Sequence, residues 1–250
     1  MYQENVVYGE VLGAGLIADI ASPDGEGPFP VILSVHGGRW IRGNRKDNTA
    51  IDVREWAGHG FFAMSIDYRL VTGTPAPACY QDMFCAIRWV HAHQDTYRLD
   101  TDRFFLIGMS AGGHMVSLAA TLGEGRFHRT GGWTEQPDTF TAVISVSGAY
   151  ELRRLDWGSG WMPTGEPWDE ARRYASPIEH VALNNRPILI MHSDDDRSIP
   201  VGQALDMVSA LREAGAQHSF LHYTNRGHIS IDSEVVADSL SFIQGLRPGV

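Results

Sequence analysis

Short apolar runs alternate with longer amphipathic segments along almost the whole chain, and this alternation limits the fold more than any other feature of the sequence. Several of the runs are apolar at nearly every position, as strands are when helices cover both faces of a sheet. Strand and helix patterns in such alternation predict an α/β fold with a mostly parallel sheet. The predicted parallel strands are VILSVH (31–36), FFAMSIDY (61–68), RFFLIGM (103–109), AVISVSG (142–148), PILIMHS (187–193) and SFLHYT (219–224).

Helical spacing appears between these strands, and a hairpin pattern precedes them. Pro200 suits the first turn of a helix, and Asp232 or Ser233 can cap the last one. The N-terminal ENVVYGEVL and LIADIAS predict an antiparallel hairpin at the sheet edge. We therefore expect a central sheet of about eight strands with helices on both faces, in one domain over residues 1–250. The predicted helices are YQDMFCAIRWVHAH, AGGHMVSLAATL, PVGQALDMVSALREAG and DSEVVADSLSFIQGL.

Residues capable of chemistry follow the predicted strands directly. Ligands in open α/β sheets bind beyond the carboxyl ends of the strands, so functional residues are expected at those positions. Four groups fit this rule, and they predict a single site at one edge of the sheet. They are His36-Gly37-Gly38, Ser110, the aspartates 194–196, and His228.

Ser110 lies between glycines in FLIGMSAGGHM (105–115), directly after an apolar strand. A serine hydroxyl is a poor nucleophile unless a neighbouring base takes its proton. A strand–serine–helix turn exposes the hydroxyl on a strained backbone, and nearby glycines avoid clashes there. The alternative is a glycine-rich phosphate-binding turn, but the lysine and the spacing of a P-loop are absent. The pattern predicts that Ser110 is a nucleophile.

A serine nucleophile needs a histidine base and an acid that orients it. His228 follows the last strand and precedes the last helix, so we predict that it is the base. The stretch HSDDDRSIP offers Asp194, Asp195 and Asp196 as the acid, and the residues alone do not choose among them. The developing oxyanion needs backbone amides, which Ala111 and the glycine loop after the first parallel strand can supply.

Composition excludes several classes of partner. The formal net charge of −10 argues against nucleic acid and anionic membranes. No apolar run is long enough to span a bilayer, and the N-terminus has no signal-peptide pattern, so a cytoplasmic location is expected. Cys79 and Cys85 are expected to remain unpaired on one helix. The run RWIRGNRK (39–46) has four cations and no acid, and is either a solvated loop or a functional element.

Several of these motifs, in this order, resemble the α/β-hydrolase superfamily. Within it, the resemblance is to esterases related to hormone-sensitive lipase, feruloyl and acetylxylan esterases, and kynurenine formamidases. It extends from about Val31 to Gly245 and includes HGGRW, DYRL, DTDRFFLIGMSAGGHM, SPIEHV and the final GH. The resemblance implies an α/β-hydrolase fold and selects Asp196 as the acid. It also implies that Gly38 and Arg39 donate amides to the oxyanion, although Arg39 departs from the smaller or aromatic residues of related enzymes.

The function expected from the residues and the resemblance is hydrolysis of small short-acyl or aryl carboxylic esters through an acyl-enzyme, without cofactor or metal. Arylformamidase-type amide hydrolysis is the alternative, and a non-catalytic binding protein or a metal hydrolase using His36 and His192 is disfavoured. A tryptophan-rich insertion around residues 150–175 is expected to contribute to the pocket. Trp40, Trp161 and Arg42 are predicted substrate contacts, and Arg39 with Arg42 suggests a substrate carboxylate. The oligomeric state is left open, with a homodimer as one option.

Overall fold

The computed structural model describes residues 1–183 and 186–246, which are built around one eight-stranded sheet. The strand order is β1-β2-β4-β3-β5-β6-β7-β8 for the strands defined here in chain order. The first two form an antiparallel hairpin at one edge, the second is antiparallel to the fourth, and the other pairs are parallel. The strands are β1 (Tyr2–Val11), β2 (Ala14–Ala21), β3 (Phe29–Val35), β4 (Phe62–Ile66), β5 (Leu99–Met109), β6 (Ala142–Val146), β7 (Ile188–Ser193) and β8 (His218–Tyr223).

Helices cover both faces of the sheet and create two hydrophobic cores. Buried side chains of α2, α4 and α6 pack on one face, and those of α1 and α7 pack on the other. Three 3₁₀ segments, Leu152–Arg154, Asp156–Gly160 and Pro177–Leu183, lie in the connection between β6 and β7. The α-helices are α1 (Val53–Gly58), α2 (Ala78–Ala92), α3 (Gln94–Tyr97), α4 (Ala111–Leu122), α5 (Trp168–Tyr174), α6 (Gly202–Glu213) and α7 (Ser233–Gly245).

The α/β fold, the edge hairpin and the predicted helices are confirmed. Asp232 caps α7, because its carboxylate accepts the amides of Glu234 and Val235. The prediction for Pro200 is wrong by a small margin, since α6 begins at Gly202 and Pro200 precedes its first turn. Cys79 and Cys85 are both buried in α2 as free thiols. Every described helix is too short or too polar to cross a lipid bilayer.

The strand order places a crevice beside β3. Within the sheet, β4 lies on one side of β3, and β5 to β8 lie on its other side. Such a reversal of strand order opens a crevice at the carboxyl ends of the two central strands. The loop after β3 and the turn after β5 are therefore brought to the same place, although Val35 and Ser110 are far apart in the sequence.

Close backbone packing holds α4 against the end of β3. A Cβ atom added to Gly112 would lie 1.9 Å from the carbonyl oxygen of Val35, much closer than any non-bonded contact allows. The neighbour is a backbone atom of a central strand, so it has no flexible end that can move aside. Only glycine at this position lets the first turn of α4 approach the sheet so closely.

We expect Gly112→Ala to destabilise the protein by about 3 kcal/mol, because overpacking against the backbone displaces the helix. In a domain of this size, that corresponds to a fall in Tm of roughly 6–12 °C. The control is Gly202→Ala at the start of α6, where an added Cβ would meet no atom within 4 Å. Thermal unfolding followed by circular dichroism measures both, and equal Tm values for the two variants would contradict the packing argument.

Candidate active site

Ser110 occupies a strained turn between β5 and α4. Its backbone has φ 57° and ψ −114°, a region that costs a non-glycine residue about 1–3 kcal/mol. The surrounding structure holds it there: the Ser110 amide donates to the carbonyl of Val146 (2.8 Å), and its carbonyl accepts the amide of His114 (2.9 Å). The strand–serine–helix geometry expected of a nucleophile is therefore present.

Asp196 and His228 form a hydrogen-bonded pair at the same edge of the sheet. Asp196 Oδ2 lies 2.7 Å from Nδ1 of His228. The other oxygen, Oδ1, accepts the amides of Ser198 (2.8 Å) and Ile199 (2.9 Å). Because the carboxylate accepts at Nδ1, the neutral imidazole keeps Nε2 as its proton acceptor. This is the tautomer that a general base requires.

The Asp196 carboxylate remains ionised in this setting. Burial acts to raise the pKa of Asp196, but hydrogen bonds from His228 and from the amides of Ile199 and Ser198 outweigh burial. The net result is a pKa below the ordinary value of an aspartate. A charged carboxylate at this position stabilises the imidazolium that forms when the histidine takes a proton.

Each of the three consecutive aspartates holds a different part of the histidine loop. Asp194 accepts the amide of Asn225 at 3.0 Å. Asp195 accepts the amide of Gly227 at 2.7 Å. Only Asp196 contacts the imidazole of His228, so the geometry agrees with the choice that the resemblance implied.

His192 contacts the turn that carries Asp196. Its Nε2 lies 2.9 Å from the carbonyl oxygen of Ile199 and 3.4 Å from Asp196 Oδ2, and the side chain is fully buried. Burial lowers the pKa of His192, so the ring is neutral near pH 7. A neutral ring that donates from Nε2 fixes the turn on which the Asp196 carboxylate sits.

Ser110 and His228 line a common cavity of about 300 Å³. The cavity opens to solvent at the carboxyl edge of the sheet, where the strand order predicted a site. The serine and the histidine that the sequence predicted as nucleophile and base therefore line the same cavity. Its other lining residues are Gly38, Arg39, Arg42, Gly43, Asp47, Asn48, Thr49, Met109, Trp157 and Ser198.

The loop after β3 presents backbone amides beside this cavity. Gly38 and Arg39 have positive φ values of 114° and 56°, which turn the chain sharply. The Gly37 amide is taken by Thr49 Oγ1 (2.9 Å). Within residues 1–183 and 186–246, the amides of Gly38, Arg39 and Ala111 donate to no protein acceptor. These amides are available to a negatively charged oxygen.

His36 holds the loop that follows β3. Its Nδ1 lies 2.6 Å from the carbonyl oxygen of Gly37. The imidazole also stacks on the ring of Tyr68, with 4.1 Å between the ring centroids. His36 is therefore a structural support of the loop.

The predicted substrate contacts have different outcomes. Arg42 lines the cavity, and so does Trp157 of the tryptophan-rich connection. The prediction for Trp40 and Trp161 is not supported, because the two side chains are 0% and 1% exposed. Their rings pack edge to face, 5.7 Å apart, in the core.

Ser147 is a supporting residue that the sequence reasoning missed. It follows β6 with φ 46°, and its Oγ accepts the amide of Ile229 at 3.1 Å. Ile229 directly follows His228, so Ser147 fixes the far end of the histidine loop. The predicted strand 142–148 included Ser147, whereas β6 ends at Val146, so the signal that marked Ser110, a position directly after a strand, was hidden by the predicted strand boundary.

The described residues give no support to the metal-hydrolase alternative. In residues 1–183 and 186–246, no group of three or more His, Cys, Asp or Glu side chains is arranged to hold a metal ion. His36 and His192 instead hydrogen-bond to backbone carbonyls.

Comparison with known proteins assigns the chain to a family. The BD-FAE family model matches residues 18–211, which is most of the chain. The chain belongs to the BD-FAE family. The matched range holds Ser110 and Asp196, whereas His228 lies beyond it.

Curated relatives and solved structures resemble this BD-FAE chain over most of its length. Esterase LipC of Mycobacterium tuberculosis is 31% identical over 80% of this chain, and carboxylic ester hydrolase LipM of the same organism, named as probable, is 30% identical over 85%. The chain spans about half of each relative's length, 53% and 52%. A truncated carbohydrate esterase from gut microbiota superposes with TM-score 0.86 at 22% identity, covering 98% of this chain and 95% of that one. Thermogutta terrifontis esterase Est2 superposes with TM-score 0.81 at 22% identity, covering 99% and 96%. These superpositions show the α/β-hydrolase fold.

His114 lies behind the nucleophile turn and is wholly buried. Its Nε2 donates to the carbonyl of Ala175 (2.7 Å), and its ring packs edge-on against Trp40 and Trp161. Burial lowers the pKa of His114 to about 4. The folded protein therefore keeps this ring neutral at pH values at which the unfolded chain is already protonated.

We expect acid to destabilise the protein through His114 as pH falls from about 6.5 to about 4. The unfolded state binds the extra proton in this window, so the free energy of unfolding decreases by up to about 1.4 kcal/mol per pH unit for this group. His114→Gln should flatten the dependence by that amount. Urea unfolding across the window measures the slope, with His59→Gln at an exposed position as the control. A slope that is unchanged in His114→Gln would contradict the assignment.

Proposed function

We propose that this BD-FAE protein is a serine hydrolase of carboxylic esters. The observation that carries the proposal is the convergence of Ser110, the Asp196–His228 pair and unpaired backbone amides on one cavity. A hydroxyl, an oriented base and oxyanion donors in one space are the parts that acyl transfer requires. The named activities of LipC and LipM support the same reaction class.

In the proposed mechanism, His228 removes the proton of Ser110 as the hydroxyl attacks the ester carbonyl. The tetrahedral oxyanion is stabilised by the amides of Ala111, Gly38 and Arg39, each worth about 3 kcal/mol in comparable sites. His228 then gives the proton to the leaving alcohol. A water molecule, deprotonated by His228, attacks the acyl carbon, the bond between that carbon and Ser110 Oγ breaks, and His228 returns the proton to Ser110 Oγ as the acid leaves. Asp196 remains charged throughout and holds the ring.

The size of the cavity supports small substrates. A volume of about 300 Å³ is at the lower end of the range for small-molecule sites. We therefore propose short-acyl or aryl esters as substrates. Est2 has been solved with butyrate and with propionate bound, which agrees with short acyl groups.

We expect Ser110→Ala to lower kcat on a short-chain p-nitrophenyl ester by roughly 10⁴- to 10⁶-fold, because the covalent step is lost. The fold should be retained, as Tm measurements will show. Mass spectrometry of the wild-type protein after treatment with a fluorophosphonate should locate the adduct on Ser110. N-formylkynurenine, assayed in parallel, tests the formamidase alternative. Retained esterase activity in purified Ser110→Ala would refute the proposed mechanism.

Asp195 offers a separate test of how the histidine loop is positioned. Asp195 Oδ1 accepts the Gly227 amide and the Ser193 hydroxyl, both at 2.7 Å, so Asp195→Ala frees the residue that precedes His228. We expect kcat to fall about 10-fold, since roughly 1.4 kcal/mol of positioning is lost. Imidazole-ring NMR should show a broadened His228 signal in this variant. Asp24→Ala, an exposed acid in the hairpin-to-β3 loop, is the charge-matched control. A wild-type kcat in Asp195→Ala would show that the contact does not position the base.

A further inference from the structure

The structure divides the four cations of RWIRGNRK into two pairs. Arg45 forms ion pairs with Asp19 and Asp67. Lys46 forms ion pairs with Glu4 and again with Asp19. This half of the run attaches the loop to the edge hairpin and has a structural role. The sequence alone did not distinguish a solvated loop from a functional one.

The other pair, Arg39 and Arg42, lines the cavity that contains Ser110. A tight turn brings the two together, because the Gly38 carbonyl accepts the amide of Arg42 at 3.2 Å. Both side chains are exposed, and the Arg39 guanidinium lies over the Trp157 ring, 5.6 Å from its centroid. Neither arginine forms an ion pair with any residue in 1–183 or 186–246.

In the described part of the chain, the acid that lines this cavity forms no ion pair with either arginine. Asp47 is the one acidic side chain among the described residues that line the cavity. Its carboxylate accepts the amides of Asn44 (3.0 Å) and Thr49 (2.9 Å), and also the Thr49 hydroxyl. Burial acts to raise the pKa of Asp47, but these hydrogen bonds outweigh it and keep the group charged. Asp47 therefore holds its own loop, and both guanidinium forks stay available.

Two unpaired guanidinium groups beside a nucleophile are unusual in a chain of net charge −10. The net negative charge of the protein repels anions at a distance, so the two arginines can attract an anionic substrate only at short range. Guanidinium groups match carboxylates geometrically, because two parallel N–H donors meet two oxygens. An ester that carries a carboxylate a few bonds from the scissile carbonyl would reach this turn while its carbonyl lies at Ser110.

We propose that Arg39 and Arg42 make this protein selective for anionic esters, by binding a carboxylate of the substrate at the cavity mouth. The inference deepens the proposed esterase function and rests on it. In this proposal the side chain of Arg39 binds the substrate carboxylate, while its amide binds the oxyanion. Arg42 is a specificity residue.

The test compares substrates that differ in charge and little else. One pair is 3-acetoxybenzoate and 3-acetoxybenzamide, with the charge on the alcohol side. The other pair is monoethyl glutarate and ethyl glutaramate, with the charge on the acyl side. We expect wild type to have a higher kcat/KM for the anion in at least one pair. Arg42→Gln should lower that anion-to-neutral ratio about 5-fold, and Arg39→Gln with Arg42→Gln about 20-fold, as expected for exposed charge pairs.

Two controls separate charge recognition from general damage. Arg42→Lys keeps the charge and should retain part of the ratio. Arg103→Gln makes the same change in net charge near the amino end of β5, away from the edge that carries Ser110, and should leave the ratio unchanged. Equal losses on anionic and neutral esters, or a ratio that no arginine variant alters, would overturn the inference.

Calorimetry with Ser110→Ala distinguishes this inference from the proposed function. Binding of 3-acetoxybenzoate that is tighter than binding of the amide, and that weakens when Arg42→Gln is added, supports anion recognition even if no ester is hydrolysed. Ester hydrolysis that depends on Ser110 but shows no anion preference would support the esterase and reject the arginine site.

Discussion

The contact between the first turn of α4 and the end of β3 is the constraint on which the site depends. At Gly112 the helix backbone packs directly on the carbonyl of Val35, with no room for a side chain. That approach sets the position of three things at once: the strained backbone of Ser110, the unpaired amide of Ala111, and the loop that leaves β3. A helix displaced outwards by the radius of a methyl group would separate Ser110, the proposed nucleophile, from the loop amides proposed to stabilise its intermediate. The positions of Ser110 and Ala111 thus follow from packing between main-chain atoms.

His228, the proposed base, is positioned by a loop rather than by a helix. The segment around His228 has little regular secondary structure, and its position comes from side chains of neighbouring strands. Asp194 and Asp195 follow β7, Ser147 follows β6, and each accepts an amide of this loop. Three acids in a row would repel one another if all were desolvated, but Asp194 and Asp195 are exposed and only Asp196 is buried. The triplet thus combines one catalytic carboxylate, in the proposed mechanism, with two positioning ones.

Much of this architecture is predictable from the sequence, because it depends on periodicity and on the order of elements. The alternation of strands and helices predicts the sheet, and the rule that ligands bind at strand ends locates Ser110 and His228. The residues alone did not select Asp196 among three aspartates, because the choice depends on which carboxylate reaches the imidazole of His228 in the folded turn. The burial of Trp40 was not predictable either, because Trp40 lies in a loop whose sequence has no periodicity. Ser147 was missed because a single serine after a strand carries no pattern of its own.

The fastening of the histidine loop has a consequence for local stability. Amides at Asn225, Gly227 and Ile229 are each held by a side chain from another part of the chain, so the loop cannot open without releasing contacts to both β6 and β7. Segments without regular structure usually open at low free energy, well below the global unfolding of the domain. Opening of the His228 loop breaks hydrogen bonds to residues that directly follow β6 and β7. Hydrogen exchange of these amides therefore reports on whether those two strands are intact. The loop that carries His228 is thus anchored to other parts of the chain at three amides, although its sequence is that of a surface turn.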